Sequence, residues 1–302
     1  MGSNCHQGTG SLGQALIPAL LQADFDVTCI LRPSSKSEVP AGVSVKVADY
    51  TDIKSLVIAL QNHDAVVEAF NPAASVHQAS IIEAVAAAGV RHIITPDFSG
   101  NTFHPRASEA LIFNPKLEAQ RALERAVADA GERLFWTAII TGPWMDWAIE
   151  QGIFWVDRSK KVVTRYGSGD QKCSLSRHAL NGEALVAVLT NPDKYRNRPA
   201  YFASFTVSTN EIIDAIRSLE LDGWEVVDVP FDEFAEKARQ MWHEDTKNGV
   251  RDRLHSAAYA ALSTVALLDE RNRFGSDFGN HVETGCDEGN GALRETLRRL
   301  LA

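Results

Sequence analysis

The sequence predicts an α/β fold, a doubly wound parallel sheet followed by a smaller α+β portion. Three observations carry this. Short apolar runs alternate with helix-period patterns through the first half of the 302-residue chain. The connections between them are short, which is how strand–helix alternation builds a parallel sheet. Gly8, Gly10 and Gly13 stand at the head of the first helical pattern. Beyond about Ile149 the regular alternation ends. The chain is therefore expected to divide into residues 1–150, a dinucleotide-binding type of domain, and residues 151–302, a substrate-binding portion packed on the sheet edge rather than independent.

Each element has its own reason. Leu12, Leu16, Ala19, Leu20 and Ala23 share one helical face. Asp26 to Leu31 reads as a strand, and Val43 to Val47 alternates with period two as a second. Thr51 or Asp52 can cap a helix running through Gln61. Asp64 to Phe70 is the next strand, stopped by Asn71-Pro72. A helix from His77 to Ala88 ends at Gly89, a residue suited to a left-handed cap. Val90 to Ile94 is a strand, a helix starts near Lys116 and reaches Ala130, and Phe135 to Ile140 closes the series. Val162 to Tyr166 with Gly167-Ser168-Gly169 reads as a hairpin. Helices are expected over Ala184 to Leu189 and from Ser208 or Thr209 to Leu219, strands over Ala200 to Phe205 and Trp224 to Val229, and mostly helix from Phe231 onward. Only the first strand is poorly written. A buried parallel strand is an apolar run, whereas Met1-Gly2-Ser3-Asn4-Cys5-His6-Gln7 is short and polar.

Gly8-Thr9-Gly10-Ser11-Leu12-Gly13 fits G-x-G-x-x-G. Such glycines permit a tight turn, close approach of backbone N–H groups to a pyrophosphate, and close helix–sheet packing. The amino end of the helix that follows favours an anion. Arg32 ends the next strand where an acidic residue would select NAD, and an arginine there accommodates the 2′-phosphate of NADP. Ser34, Ser35 and Lys36 add donors and charge. The alternatives are a merely structural glycine turn and a solvated arginine.

Composition narrows the functional classes. A net charge of −9 disfavours nucleic acid and anionic membranes as partners. No apolar run approaches the ~20 residues of a membrane span. No signal peptide is evident at the amino end, and the four scattered cysteines suit a reducing, cytoplasmic setting. No metal-ligand spacing occurs.

Ligands of doubly wound sheets bind outside the carboxyl ends of the strands. The residues expected there are the glycine loop, Arg32, Asp49, Asn71-Pro72 and Thr95 to Gly100. Asp97 and Ser99 either contact a ligand or cap their loop. Tyr50 and Lys54 match Y-x-x-x-K, but follow too early a strand to be a catalytic pair, so Lys54 is expected to face solvent. Trp144, Trp147, Phe154 and Trp155 either line a pocket for a planar apolar substrate or fill the core. His104 is a further group able to transfer a proton.

Four stretches in this order resemble a known family: Gly8 to Gly13, Ile30-Leu31-Arg32-Pro33, Ile93 to Gly100, and Lys116 to Glu124. Together they resemble the NmrA-like, isoflavone-reductase-like atypical short-chain dehydrogenases, especially fungal members. The likeness holds over residues 8–190 and is diffuse beyond. Gln7 stands where the family has a further glycine, and Ser99 splits its Phe-Gly pair. The resemblance implies a Rossmann domain, NADPH as cofactor and Lys116 as catalytic residue. The candidate cofactor contacts are then Gly8, Thr9, Gly10, Ser11, Leu12, Gly13, Arg32, Lys36, Asn71 and Lys116, and the candidate substrate contacts, read from position and aromatic density, are Phe98, Trp144, Trp147 and Phe154. The expected activity is NADPH-dependent reduction of a small aromatic or polyketide-like substrate in fungal secondary metabolism. The alternatives are a non-catalytic NAD(P) sensor acting on a protein partner, and a cofactor-free lyase or isomerase.

Overall fold

The computed structural model of the chain describes residues 10–70, 77–283 and 288–302. In chain order the elements are α1 (Ser11–Gln22), β1 (Thr28–Leu31), β2 (Ser44–Val47), α2 (Ile53–Leu60), β3 (Ala65–Val67), α3 (Gln78–Ala88), β4 (His92–Ile94), α4 (Asn114–Ala130), β5 (Phe135–Ile140), α5 (Met145–Gln151), β6 (Val156–Asp157), β7 (Val162–Tyr166), β8 (Lys172–Leu175), α6 (Leu180–Thr190), β9 (Arg198–Tyr201), β10 (Phe205–Ser208), α7 (Thr209–Arg217), β11 (Glu225–Val229), α8 (Phe231–Lys247), α9 (Ala257–Leu268) and α10 (Gly289–Leu301). The first half is the α/β alternation that the sequence predicts.

The chain gathers into two compact units. One takes Met1–Asp97, Pro115–Ile139 and Ala179–Pro199, and the other Phe98–Asn114, Ile140–His178 and Ala200–Ala302. Where a single boundary near residue 150 is expected, the units interleave, because residues distant in sequence supply the packing partners.

In the first unit β1 pairs parallel with β2, and β3, β4 and β5 pair parallel in turn. Every residue of β4 and β5 is buried. Successive side chains of a strand point to opposite faces, so both faces of these strands are covered, as in a doubly wound sheet. The helices pack in pairs, α1 with α6 and α2 with α3. Their ends follow local chemistry. Asp52 caps α2 by accepting from the N–H groups of Lys54 (3.0 Å) and Ser55 (3.3 Å), and Gly89 ends α3 with φ at +79°. Gly182 of α6 packs directly on α1: a β-carbon there would run into the Ala15 carbonyl and the Ala19 methyl.

Among the described residues the strands fall into two sheets in this unit, β1–β2 and β3–β4–β5–β9. A cavity of about 1000 Å³ lies between β1 and β3, walled in part by Leu16, Ile17 and Leu20 of α1 and by Leu185 of α6. The polar first strand expected in residues 1–7 lies outside the described residues.

A buried polar contact ties β4 to β5. His92 Nε2 lies 2.8 Å from Thr137 Oγ1, which itself donates to the Tyr195 carbonyl at 2.9 Å. The hydroxyl hydrogen is thus committed to Tyr195, so the imidazole donates from Nε2. The His92 ring stacks on Phe135 at 4.2 Å.

In the second unit β11, β7 and β6 form one sheet, and β8 pairs antiparallel with β10. The hairpin expected after Val162 is therefore not one. β7 pairs with β11 and β6, while β8, beyond the Gly167–Gly169 turn, joins a different sheet. Helix α7 opens with a reciprocal capping box between Ser208 and Glu211. No helix among the described residues is long and apolar enough to cross a membrane, and no cluster of potential metal ligands occurs among them.

Two outcomes follow from this packing. Gly182→Ala overfills the α1–α6 contact and should cost about 1–3 kcal/mol in denaturant unfolding. Burial, reinforced by Arg196, lowers the His92 pKa to about 4 from 6.5. The unfolded chain then binds the extra proton between those values, so stability is complete above pH 6.5 and falls as pH drops toward 4, by up to about 1.4 kcal/mol per pH unit. His92→Leu should flatten that slope in pH-dependent thermal melts.

Candidate functional site

Parallel pairing brings the carboxyl ends of neighbouring strands to one edge. In the first unit that places Arg32 after β1, Tyr50 after β2, Glu68 after β3 and Asp97 after β4, with Lys116 in the first turn of α4. Helix α1 starts at the same kind of position. Its N-cap is Gly10, which has no side chain to cap it, and a β-carbon on Gly10 would meet nothing within 4 Å. The open space and the positive end of the helix dipole suit a phosphate group. Gly13 is buried within α1, while Ser11 and Leu12 are partly exposed. Arg32 and Lys36 are exposed. Gly8, Thr9 and Asn71 lie outside the described residues.

Lys116 is the most constrained cation of this edge. Helix α4 begins two residues earlier than the sequence suggests, so Lys116 sits inside its first turn. Its Nζ donates to the Asp97 main-chain carbonyl at 2.9 Å. Burial pulls the lysine pKa below its ordinary value, and the nearby Asp97 carboxylate opposes the shift. The positive end of the α4 dipole also disfavours a charged ammonium there. Asp97 is itself held: it is 7% exposed, and Thr95 Oγ1 donates to its Oδ2 at 2.6 Å.

Glu68 and Gln78 are residues that motif reading passes over. Glu68 is 2% exposed and Gln78 3%. Gln78 Nε2 donates to Glu68 Oε2 at 2.8 Å, while Oε1 of each side chain is buried without a hydrogen-bond partner among the described residues. Burial drives the Glu68 pKa up to about 8, the Gln78 hydrogen bond opposing and Asp97 reinforcing. A signal for Glu68 was present, a carboxylate closing the apolar run Ala65-Val66-Val67 at a strand end. Nothing local marked Gln78. Tyr50 belongs to the same group: burial raises its pKa, Arg32 lowers it and Glu68 raises it further. Asp49 is instead occupied with its own turn, accepting from the Thr51 N–H (2.9 Å) and hydroxyl (2.8 Å). Lys54 is exposed on α2.

The aromatic candidates gather in the second unit. Trp144 Nε1 donates to the Phe98 carbonyl at 3.0 Å. The Trp144 ring meets Trp147 edge-on at 5.7 Å and His178 at 5.0 Å. Asp146 Oδ1 binds this group together, accepting from the N–H groups of Trp147 (2.9 Å) and His178 (2.8 Å). Trp144, Trp147 and Phe154 are partly exposed. Phe98, by contrast, is 1% exposed, so its ring fills the core and the residue offers its carbonyl. The Phe154 ring lies 5.8 Å from that of Trp155. The Ser99 carbonyl accepts from Thr141 N (3.2 Å) and Gly142 N (2.9 Å), and His104 Nδ1 accepts from Arg106 N at 3.3 Å. Both serve their loops.

The open helix start at Gly10, the cation at Arg32 and the buried oxygens beside β3 that no described residue completes fit a nicotinamide dinucleotide. A model of NAD(P)H-binding domains matches residues 8–197. The chain is 29% identical over 221 residues to the oxidoreductase poxI of Penicillium oxalicum, covering 73% of this chain and 70% of the relative. It is 31% identical to the oxidoreductase aprR of Aspergillus flavus, covering 72% and 73% respectively. Among solved structures it resembles the binary complex of leucoanthocyanidin reductase with NADPH from Vitis vinifera. That likeness has a TM-score of 0.72 at 14% identity, over 96% of this chain and 97% of the other.

A pH dependence follows from Glu68. In the folded apo-protein the acid keeps its proton up to about pH 8, whereas in the unfolded chain it loses it near 4.5. The folded state binds more protons between those values, so this contribution to stability falls as pH rises through that window and is level above it. Glu68→Gln should remove the decline, and thermal melts of the apo-protein at pH 8 should place the variant above the wild type.

Proposed function

The chain belongs to the NAD(P)H-binding family, among its NmrA-like and isoflavone-reductase-like oxidoreductases, and we propose that it is an NADPH-dependent reductase of a small aromatic or polyketide-like substrate with a carbonyl or conjugated double bond. The observation that carries the reading is Lys116, desolvated at the head of α4 and tethered to the Asp97 carbonyl. A lysine whose pKa is lowered by burial gives up its proton more readily and can serve as a general acid. The family match and the NADPH complex of the solved relative support the choice of cofactor. The fungal oxidoreductases among its relatives support the redox assignment, and the setting proposed for it is fungal secondary metabolism.

Bound, the cofactor supplies a hydride from its dihydronicotinamide ring. The chain's own residues do the rest. The amino end of α1 at Gly10 receives the pyrophosphate, and Arg32 with Lys36 receives the 2′-phosphate. Lys116 holds a proton on Nζ and releases it to the substrate oxygen or carbon that gains negative character as hydride arrives. The Asp97 carbonyl fixes the position of Nζ while the carboxylate keeps the lysine from losing its proton too early. Within the second unit, Trp144, Trp147 and Phe154 are partly exposed aromatic surface of the kind that binds planar groups.

Calorimetry with purified protein should show NADPH binding, and Arg32→Ala should weaken NADPH by about tenfold or more while changing NADH little. Lys116→Ala should lower kcat on a panel of aromatic ketones and enones by about 100-fold, with NADPH affinity nearly unchanged. Absence of NADPH binding at millimolar concentration would overturn the reductase reading, and unchanged turnover would remove Lys116 from it. Redox-dependent capture of a protein partner without turnover would replace the enzyme with a sensor. Equal product in cofactor-free buffer would indicate a lyase or isomerase.

A further inference from the structure

The group at the end of β3 has no part in the proton transfer assigned to Lys116, yet it is built like a binding site. The Glu68 N–H donates to the Ile94 carbonyl at 3.0 Å, so the residue continues the β3–β4 ladder and its position is fixed by the sheet. Glu68 is among the residues that line the cavity between β1 and β3. The carboxyl group is joined to the first residue of α3 by the 2.8 Å bond from Gln78. Each partner then has one oxygen left, buried and without a hydrogen bond among the described residues. Buried polar atoms are rarely left in that state, because an unmade hydrogen bond forfeits the solvation lost on burial. Two such atoms on adjoining side chains point to a ligand group that completes both.

The chemistry of that ligand group follows from its surroundings. The ionisable neighbours of Glu68 are Asp97 and Tyr50, with Arg32 acting on the far side of Tyr50. The Asp97 charge and the lack of solvent both favour the neutral acid, whose hydroxyl is a donor. Gln78 Oε1 is an acceptor. The pair therefore offers one donor and one acceptor and has no charge to offer an ion. In a doubly wound fold the pyrophosphate lies at the α1 amino end and the phosphorylated ribose beside β1. The end of β3, on the other side of the glycine loop, then faces the nicotinamide half. We infer that Glu68 and Gln78 form a recognition pair for a neutral donor–acceptor group on the nicotinamide half of the dinucleotide, either its carboxamide or its ribose hydroxyls. The inference rests on the NADPH reading and names two specificity-determining residues within it.

The experiment measures affinities at pH 7 by calorimetry for wild type, Glu68→Leu, Glu68→Gln and Gln78→Leu, with thermal melts for each. Glu68→Leu and Gln78→Leu should weaken NADP⁺ about tenfold, while leaving 2′,5′-ADP, which is the adenosine half alone, within about twofold. Glu68→Gln keeps both a donor and an acceptor and should stay close to wild type. Two further nucleotides separate the sources. If the 3-acetylpyridine analogue of NADP⁺, which lacks amide N–H groups, binds wild type weakly and loses nothing more in Glu68→Leu, the group is the carboxamide. If 2′-phospho-ADP-ribose, which has the ribose diol and no nicotinamide, is weakened by Glu68→Leu, the group is the ribose. Folded leucine variants that bind NADP⁺ like wild type overturn the inference, as does an equal loss for 2′,5′-ADP, and either leaves the NADPH reading standing. Wild type that binds neither NADP⁺ nor 2′,5′-ADP removes both.

Discussion

Parallel strand pairing is the constraint on which the site depends. Because β3 and β4 run the same way in register, Ala65 opposite His92 and Val67 opposite Ile94, the residues that follow them emerge together. Glu68 and Asp97 meet for that reason, and no local motif brings them near each other. The β1–β2 pairing does the same for Arg32 and Tyr50. The edge so formed carries groups of opposite charge whose energies are coupled across it, from Arg32 through Tyr50 and Glu68 to Asp97 and Lys116.

Burial acts on three ionisable side chains in this unit and does different work in each. His92 is made neutral and serves the sheet, its donor spent on Thr137. Glu68 is driven toward its protonated form and left with an oxygen that no protein group completes. Lys116 is pushed toward releasing its proton while one carbonyl holds its ammonium group in place. The same desolvation therefore produces a fastening, a recognition element and an acid. What separates His92 from Glu68 is that the His92 Nε2 donor meets the Thr137 hydroxyl, whereas Glu68 Oε1 meets no partner among the described residues.

The second unit contributes aromatic surface arranged by hydrogen bonds. Asp146 accepts from the main chain at both Trp147 and His178, and the Phe98 carbonyl takes the Trp144 indole N–H. These bonds set the orientation of rings that packing alone would leave free to rotate. They also explain the division of labour within the Phe98–Trp144 pair, one ring committed to the core and the other partly open.

Much of this was written in the chain. The strand–helix alternation, the Asp52 and Gly89 helix ends and the order of the glycine loop, Arg32 and Lys116 are local properties, set by side-chain period, backbone donors and φ preference. They determine the α/β class and the lysine at the head of α4. Three things required the folded molecule. The partners of β7 and β8 are distant in sequence, so a strand–glycine–strand pattern could not reveal that they belong to different sheets. Phe98 and Trp144 are both aromatic residues in loops, and only packing decides which is enclosed. Glu68 and Gln78 are ten residues apart in the chain and look like ordinary polar residues. Their meaning comes from lost solvation, which is a property of everything packed around them and of no residue by itself.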